Sequence, residues 1–527
     1  MKKNIYITTP IYYPSSIDVR FHIGTAYTTI FANTLVRYNK LRGNNVYFLT
    51  GMDEHGQKVE SIAEKRGITP QEHVDEYAKM AQELWKRMKI EYNDFIRTTE
   101  KRHESIVQKI FTELLDKGDI YLGEYEGEYC VGCESFYTKT QLDGRKNCPD
   151  CGRETQLVKE KAYFFRLSKY ADRLLKHIEE NNDFIVPETK KNEVVNFIKG
   201  GLEDLCVSRT SVKWGVPIPS DPEHVIYVWI DALSNYITAL GYKTDNDTLL
   251  KEYWYNGEVI HILGKDILRF HAIYWPIILM ALDLPLPKTI FGHNWIMMKD
   301  GKMSKSKGNV VYPEELIESY GLDALNYYLL SEMNQAHDGL FTPEDFIERI
   351  NCDLANDLGN LLNRSLAMVN KYLNGNVKKI TAKTTVDEFV QEVIDTFTKT
   401  KQEYEIAFEE FKIENALKPV WKLIGRVNKF IDETTPWTLA KEKSKSEDLE
   451  KTLYTLIELL RLISILISPM LLDTAENINK QLGTDLGDWD DLEFGKKESY
   501  TVTQEPKPLF PRLDILEERE FIRTLMK

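Results

Sequence analysis

Two kinds of run alternate from the start of the chain, and that alternation limits the fold more than any other feature. Asn4 to Tyr13, NIYITTPIYY, is rich in β-branched and aromatic residues and predicts a strand. From Thr25 the run AYTTIFANTLVRYNKLRG predicts a helix, with Gly43 placed as its stop. NNVYFLTGMDEHG then predicts a second short strand ending in a polar loop. Thr69-Pro70-Gln71-Glu72 reads as a capping box with proline at the first helical position. Val74, Tyr77, Ala81, Leu84 and Met88 follow at helical spacing as a core face.

The alternation stops near Asp119. Up to about Pro219 the segments are short and rich in Gly, Asp and Cys, which predicts an insertion. It resumes with HVIYVWIDALSNYITAL, EVIHILGKDILRFHAIYWPIILMAL and KTIFGHNWIMM, so a parallel α/β sheet split by an inserted domain is expected. From about Thr342 the pattern is almost wholly helical, which predicts an antiparallel bundle. Lys441–Lys451 reads as a charged, solvated connector. The expected division is 1–118 and 223–297 for the halves of a Rossmann-type domain, 119–222 for the insertion, 298–350 for a loop-bearing region and 351–527 for the bundle.

With 527 residues, 42% of them apolar and 28% charged, the chain has the composition of a soluble protein of several domains. A net charge of −14 gives no bulk sign of nucleic-acid affinity, although a local basic groove stays compatible with it. The opening MKK leads into a strand-like segment broken by Pro10 and Pro14, without a cleavage site, so no secretion signal is read. The apolar stretches Ile273–Leu282 and Leu459–Leu472 are too short for a membrane span or carry Pro276, Arg461 and Pro469. A cytoplasmic location is expected.

Three motifs could carry chemistry. In PSSIDVRFHIGT (14–25), His22 and Gly24 stand where a strand hands over to a helix. Open α/β sheets bind ligands at such strand ends, and the N–H groups of a helix start suit phosphate. A plain helix start with a solvated histidine is the other reading. Cys130-x2-Cys133-x14-Cys148-x2-Cys151 pairs two CxxC knuckles, a spacing that can set four thiolates around one structural Zn2+. Disulfides are the alternative, which a cytosolic chain disfavours. Cys206 and Cys352 stand alone and read as buried small hydrophobes. In GKMSKSKGN (301–309), Lys302, Lys305 and Lys307 alternate with small and hydroxyl residues, as a loop closing on a polyphosphate would; an exposed basic loop is the alternative.

A His-x-Gly-Thr after the first strand and a Lys-Met-Ser-Lys-Ser after the last resemble the class I aminoacyl-tRNA synthetases. TTPIYY, LTGMDEHGQK, VWIDALSNY, GKDILRFHAIYWP and NKFIDETTPW narrow this to a resemblance to the methionyl-tRNA synthetase family, over nearly the whole chain. The resemblance implies formation of methionyl-adenylate from L-methionine and ATP, then transfer to the 3′ end of tRNA(Met), initiator tRNA included. It implies an ATP site of His22, Gly24, Thr25, Gly264, Asp266, Lys302, Ser304 and Lys305, with Mg2+ accompanying the nucleotide. The region 298–350 would contact the tRNA stem. A methionine pocket is implied at Ile11, Tyr13, Trp229, Ala232, Leu233, Tyr236, Ile267, His271 and Trp275, with Asp53 as the anchor of the α-ammonium. At spacings of three and four these are also what a plain amphipathic core helix shows.

In the helical region the resemblance implies anticodon contacts from Asn360, Arg364, Pro436 and Trp437, since unpaired bases are read by stacking and hydrogen bonds. A helix-surface pair and a loop-packing tryptophan are the plain alternatives. The insertion is small for an editing domain, and the chain ends shortly after the helical part, from which a monomer is expected. A sibling synthetase for another apolar amino acid, or a non-catalytic tRNA-binding paralogue, are the competing functions; His22, Asp53, Lys302 and Lys305 speak against the second. One departure stands out. The run Ser16–Phe21 holds a few more residues than family members usually have there, and it is expected to bulge outward without moving the helix start.

Overall fold

The computed structural model describes residues 2–131, 135–137, 142, 146–149, 152–303, 308–334 and 336–526. Two compact units divide the chain: residues 1–21 with 44–293, and residues 22–43 with 294–527.

The first unit is built on a parallel sheet. Its strands are β1 (Asn4–Tyr12), β2 (Asn45–Met52), β3 (Asp94–Arg97), β4 (Ile185–Val186), β5 (Glu258–Gly264) and β6 (Thr289–His293), in the order β3-β2-β1-β5-β6-β4. All five pairings are parallel. The chain winds one way from β1 and the other way from β5, so the switch point lies between these two strands, where such sheets bind ligands. Edge strand β4 comes from within the segment read as the insertion. Two residues are too few for a period-2 pattern to show in sequence.

The insertion has its own antiparallel sheet, with Ile120–Cys130 paired along Gln156–Phe165. Cys130 and Cys148 are buried there in a small cluster with Leu142. Cys133 and Cys151 lie outside the described residues.

The second unit holds α1 (Ile23–Leu41), the connection between β1 and β2. Tyr38 on α1 stacks on Phe408 at 3.9 Å between ring centroids, and the Arg42 guanidinium lies 4.4 Å from the Trp489 ring. These contacts join the end of the helix to the helical part of the chain. The bundle helices used below are α6 (Asn360–Leu373), α7 (Asp387–Glu409), α8 (Ile413–Thr434), α9 (Ser446–Ile467) and α10 (Leu472–Leu482). Those of the first unit are α2 (Pro70–Arg87), α3 (Lys101–Asp116), α4 (Val228–Thr238) and α5 (Trp275–Ala281). α9 is buried along most of its length, so the Leu459–Leu472 stretch is core. Among the described residues no helix is long and apolar enough to cross a membrane.

Local expectations hold where the signal is a hydrogen bond between near neighbours. Thr69 and Glu72 form the reciprocal capping box of α2. α1 starts at Ile23, two residues before the expected Thr25, because His22 caps it. The charged connector differs from expectation: helix α9 begins inside it. Asp448 accepts from Thr385 N–H and Oγ1–H at 2.6 Å each, and Lys451 Nζ reaches Asp387 at 2.7 Å. Those partners lie some sixty residues away and leave no local trace.

Candidate active site

In the first unit the site grows from the carboxyl ends of β1, β2 and β5. β1 and β2 shift register between Thr8 and Ile11, beside Pro10, which cannot donate to a ladder. Asp53 directly follows β2, is buried, and donates its N–H to Tyr12 O at 3.0 Å. Gly264 ends β5, and a Cβ there would stand 2.6 Å from Asp266 Oδ1, so a side chain at this position would push that carboxylate aside.

α4 and the π-helical turn Phe270–Tyr274 supply the aromatic wall. Ala232, Leu233 and Tyr236 are buried, and Trp229 stacks on Phe270 with centroids 3.7 Å apart. Widened π turns recur at functional sites because they re-aim side chains. His271 Nδ1–H donates to Ile267 O at 3.0 Å, and its Nε2 accepts from Tyr236 Oη at 2.7 Å. Burial pulls its pKa down to about 4, so the ring is neutral at pH 7. Behind it, Trp275 Nε1–H donates to His261 Nε2 at 3.2 Å, and His261 Nδ1 meets Thr8 Oγ1 at 2.7 Å. Burial drives the His261 pKa down as well. The polar atoms of Tyr236, His271, Trp275 and His261 are thus turned on one another, whereas Trp229 Nε1 is buried without a hydrogen-bond partner, and the surface left is uncharged.

Ile11, Trp229 and Ile267 pack on the main apolar cluster, and Asp53 is near enough to Tyr236 to raise its pKa after burial has done so. The unit therefore brings together the acid and most of the predicted pocket residues. Tyr13 is half-buried, with Lys58 Nζ 5.6 Å from its ring centroid.

The long run before His22 is fastened to α2. Tyr77 Oη donates to Ser16 O at 3.0 Å and accepts from Ser16 N–H at 3.1 Å, while His73 Nε2 meets Pro14 O at 3.0 Å. Phe21 is buried and stacks on Trp85 at 5.7 Å, whereas Ile17 is exposed.

In the second unit His22 is the N-cap of α1, with Nδ1 accepting from Gly24 N–H at 3.0 Å. Nε2 therefore carries the ring proton. A Cβ at Gly24 would meet the imidazole at 2.9 Å, so glycine is what allows this cap. Ile23 N–H donates to Val311 O at 3.0 Å, which ties the helix start to the chain just after the basic loop. The loop stands on a tight turn: Met298 and Gly301 exchange hydrogen bonds at 2.7 and 2.9 Å. Asn309 Nδ2 donates to Asp300 Oδ1 at 2.7 Å. Lys302 Nζ lies 3.4 Å from the Trp295 ring centroid, a cation–π contact. Ser304 and Lys305 lie outside the described residues.

The helical residues follow from a second π-helical run, Ile350–Gly359, directly before α6. Such a run frees carbonyls, and α8 supplies their donors: Trp421 Nε1–H to Asp353 O at 3.2 Å and Asn428 Nδ2–H to Asp357 O at 3.1 Å. This sets the point at which α6 presents exposed Asn360 and half-buried Arg364. Arg364 Nη2 donates to Asp432 Oδ1 at 2.7 Å. After α8, Thr435 takes the left-handed conformation (φ 43°) and buried Pro436 starts the next turn. That turn leaves Trp437 41% exposed, more than packing alone requires of an indole.

Sequence reasoning missed Asp231, His55 and His103, all buried and joined (below). The signal was present: an Asp inside the apolar run VIYVWIDALSNYI demands a buried partner.

A family profile described as "tRNA synthetases class I (M)" matches residues 5–160 and 154–366. Fold and profile together define a class I aminoacyl-tRNA synthetase. A second profile, "Anticodon binding domain of methionyl tRNA ligase", matches 380–504. Methionine–tRNA ligase of Halalkalibacterium halodurans is 54% identical over 100% of this chain and 81% of its own length. That of Bacillus subtilis is 54% identical over 99% of this chain and 80% of its own. The crystal structure of Mycobacterium tuberculosis methionyl-tRNA synthetase bound by methionyl-adenylate superposes with a TM-score of 0.90 at 37% identity, covering 97% of this chain and 100% of that one. The chain belongs to the methionyl-tRNA synthetases, and its reaction is the ligation of methionine to tRNA.

Proposed function

We propose that the chain carries out this reaction through methionyl-adenylate, with the residues at the carboxyl ends of β1, β2 and β5 holding methionine. The observation that supports this reading most is the convergence of Asp53, Tyr236, His271 and Trp275. One buried acid beside a neutral aromatic wall suits a substrate with one ammonium and one thioether. Ile11, Tyr13, Trp229, Ala232, Leu233 and Ile267 complete the pocket. Gly264 and Asp266 receive the adenosine, with Mg2+ accompanying the phosphates. His22, Gly24 and Thr25 face the phosphates, with the amides of the α1 start as donors. Lys302, Ser304 and Lys305 close on the departing pyrophosphate. Lys302 would leave the Trp295 ring to do so.

In the first step a methionine carboxylate oxygen bonds to the α-phosphorus and the bond to the bridging oxygen breaks, releasing pyrophosphate. In the second, a 3′-terminal ribose hydroxyl of the tRNA attacks the acyl carbonyl and AMP leaves. The chain's part is to position the reactants and stabilise developing charge. Neutral His271 and His261 serve this by putting no positive charge next to the ammonium. Asn360, Arg364, Pro436 and Trp437 read the anticodon of tRNA(Met), initiator tRNA included. The region 298–350 contacts the stem. The enzyme works as a cytoplasmic monomer, its catalytic halves being 1–118 and 223–297 around the insertion 119–222, with 351–527 as the anticodon domain.

Methionine-dependent ATP–pyrophosphate exchange tests the reading. Exchange with methionine and not with leucine or valine is expected; exchange with leucine alone, or none, overturns it.

Zinc belongs to the same proposal. Among the described residues no group of three or more metal-binding side chains converges, since half the cysteine quartet lies outside them. The donors that are described fit a thiolate site. Cys130 and Cys148 are buried together, and Gly152 (φ 73°) donates its N–H to Cys148 O at 2.8 Å. Cys130, Cys133, Cys148 and Cys151 would hold the ion, which would brace the insertion and leave the reaction to other residues. The purified protein should contain about one zinc per chain, lost in Cys130→Ser together with cooperative unfolding of the insertion. Zinc-free protein of unaltered stability would remove the ion from the account.

A further inference from the structure

α4 presents two faces. Trp229, Ala232, Leu233 and Tyr236 lie on one, while Asp231 and Thr238, seven residues apart, lie on the other. Asp231 is 1% exposed, and each of its oxygens meets a different histidine. His55 Nδ1 lies 2.7 Å from Oδ2 and His103 Nε2 2.8 Å from Oδ1. His103, on α3, also meets Thr238 Oγ1 at 2.7 Å, so two ties hold the back of α4 to α3.

His55 belongs to the turn that carries the acid. Asp53 is tied through its N–H to the end of β1. Glu54, fully buried, accepts from Arg97 Nε at 2.7 Å and from Thr99 Oγ1, and its carbonyl accepts from Trp214 Nε1 at 2.6 Å. The Trp214 ring packs edge-on against His55, 5.6 Å between centroids. The turn is thus fixed to the sheet on one side, and on the other its contact with the pocket helix runs through His55 and Asp231.

We infer that Asp231 is a positioning residue for methionine: through His55 it holds the Asp53 turn in register with the pocket helix α4. This rests on reading Asp53 and the Trp229 face as the methionine site. A buried carboxylate persists only with good partners, and these two make it a rigid spacer between a turn and a helix distant in sequence. Burial alone would push the Asp231 carboxyl up, yet the two histidines hold it at about 2. Burial would lower His55, and Asp231, Glu104 and Glu54 together outweigh it.

Steady-state exchange kinetics test this. Asp231→Ala and His55→Ala should each raise the KM for methionine about tenfold with kcat and the ATP KM within about twofold of wild type, the signature of lost uniform substrate binding. The double variant should cost no more than the worse single change, because the two act through one contact. His55→Asn, whose amide nitrogen takes the place of Nδ1, should recover most of the loss. An unaltered methionine KM, equal losses in kcat and ATP KM, or additive effects would overturn the inference. If Asp231→Ala does not fold by circular dichroism, the His55 pair decides by the same criteria. Trp229→Ala separates the two levels. If it leaves the methionine KM unaltered, the pocket reading falls and takes this inference with it. If it raises that KM while the His55 and Asp231 variants stay at wild type, only the positioning role is lost.

Discussion

Lys305→Ala should lower methionine-dependent exchange by about 10²- to 10³-fold, the usual cost of removing one preorganised charge donor from a developing anion. The loop that carries it stands on the Met298–Gly301 turn and the Asn309–Asp300 hydrogen bond, neither of which uses that lysine. The substitution should therefore leave folding and tRNA binding by the helical region intact. Pre-steady-state adenylate formation and a tRNA(Met) binding titration, run on one preparation, check both halves. Trp437→Ala should do the reverse. Its indole is 41% exposed at the start of a short turn, and loss of a stacking platform costs ~1–3 kcal/mol per base. Charging then falls roughly tenfold or more while exchange persists. Parallel losses in both assays for either variant would refute the division of labour between the two parts of the chain.

The other large effect is on stability. On α9, Glu458 and Arg461 are 0% and 2% exposed and form a two-pronged pair at 2.6 and 2.9 Å. Arg461 also donates to Asp491 O at 2.9 Å and Glu493 O at 3.0 Å, and Glu458 accepts from Gly495 N–H at 2.9 Å and from Tyr500 Oη. The pair thus anchors the 491–500 segment to the bundle. Arg461→Leu leaves an uncompensated buried carboxylate and should cost about 3–5 kcal/mol, whereas the apolar double replacement Glu458→Met with Arg461→Met strands no charge and should cost less, its remaining cost being the lost hydrogen bonds to 491–500. Urea unfolding followed by circular dichroism reads both. Equal costs for the single and double changes would mean that the hydrogen bonds to 491–500, and not the balance of charge, are what the pair supplies.

Both predictions start from residues visible in sequence, yet they differ in how visible their role was. KMSKS is a string specific enough to carry a family resemblance, and its phosphate role is what that resemblance implies, whereas Glu458 and Arg461 read as an ordinary helical pair until the 491–500 segment is seen to close over them. The same contrast runs through the pocket. Trp229, Leu233 and Tyr236 are legible as one helix face. That Tyr236 faces His271, and Trp275 faces His261, depends on a π turn that no propensity predicts.

The run Ser16–Phe21 shows the limit most clearly. Its length and the His-Ile-Gly-Thr after it are sequence facts, and so are the strand before and the helix beyond. Its attachment comes from Tyr77, His73 and Trp85, of which the sequence marks only Tyr77, as a member of a helix face some sixty residues on. By itself the sequence determined the alternation of strands and helices, the cap at Thr69, the cysteine spacing and the family. These depend on residues within a few positions of one another, or on strings long enough to be specific. Only the tertiary structure decided that α1 packs with the helical region, that β4 completes the sheet, and that Asp231 joins residues 176 and 128 positions away. Such partners are chosen by burial, since a polar group removed from water must find its complement wherever the folded chain happens to bring one.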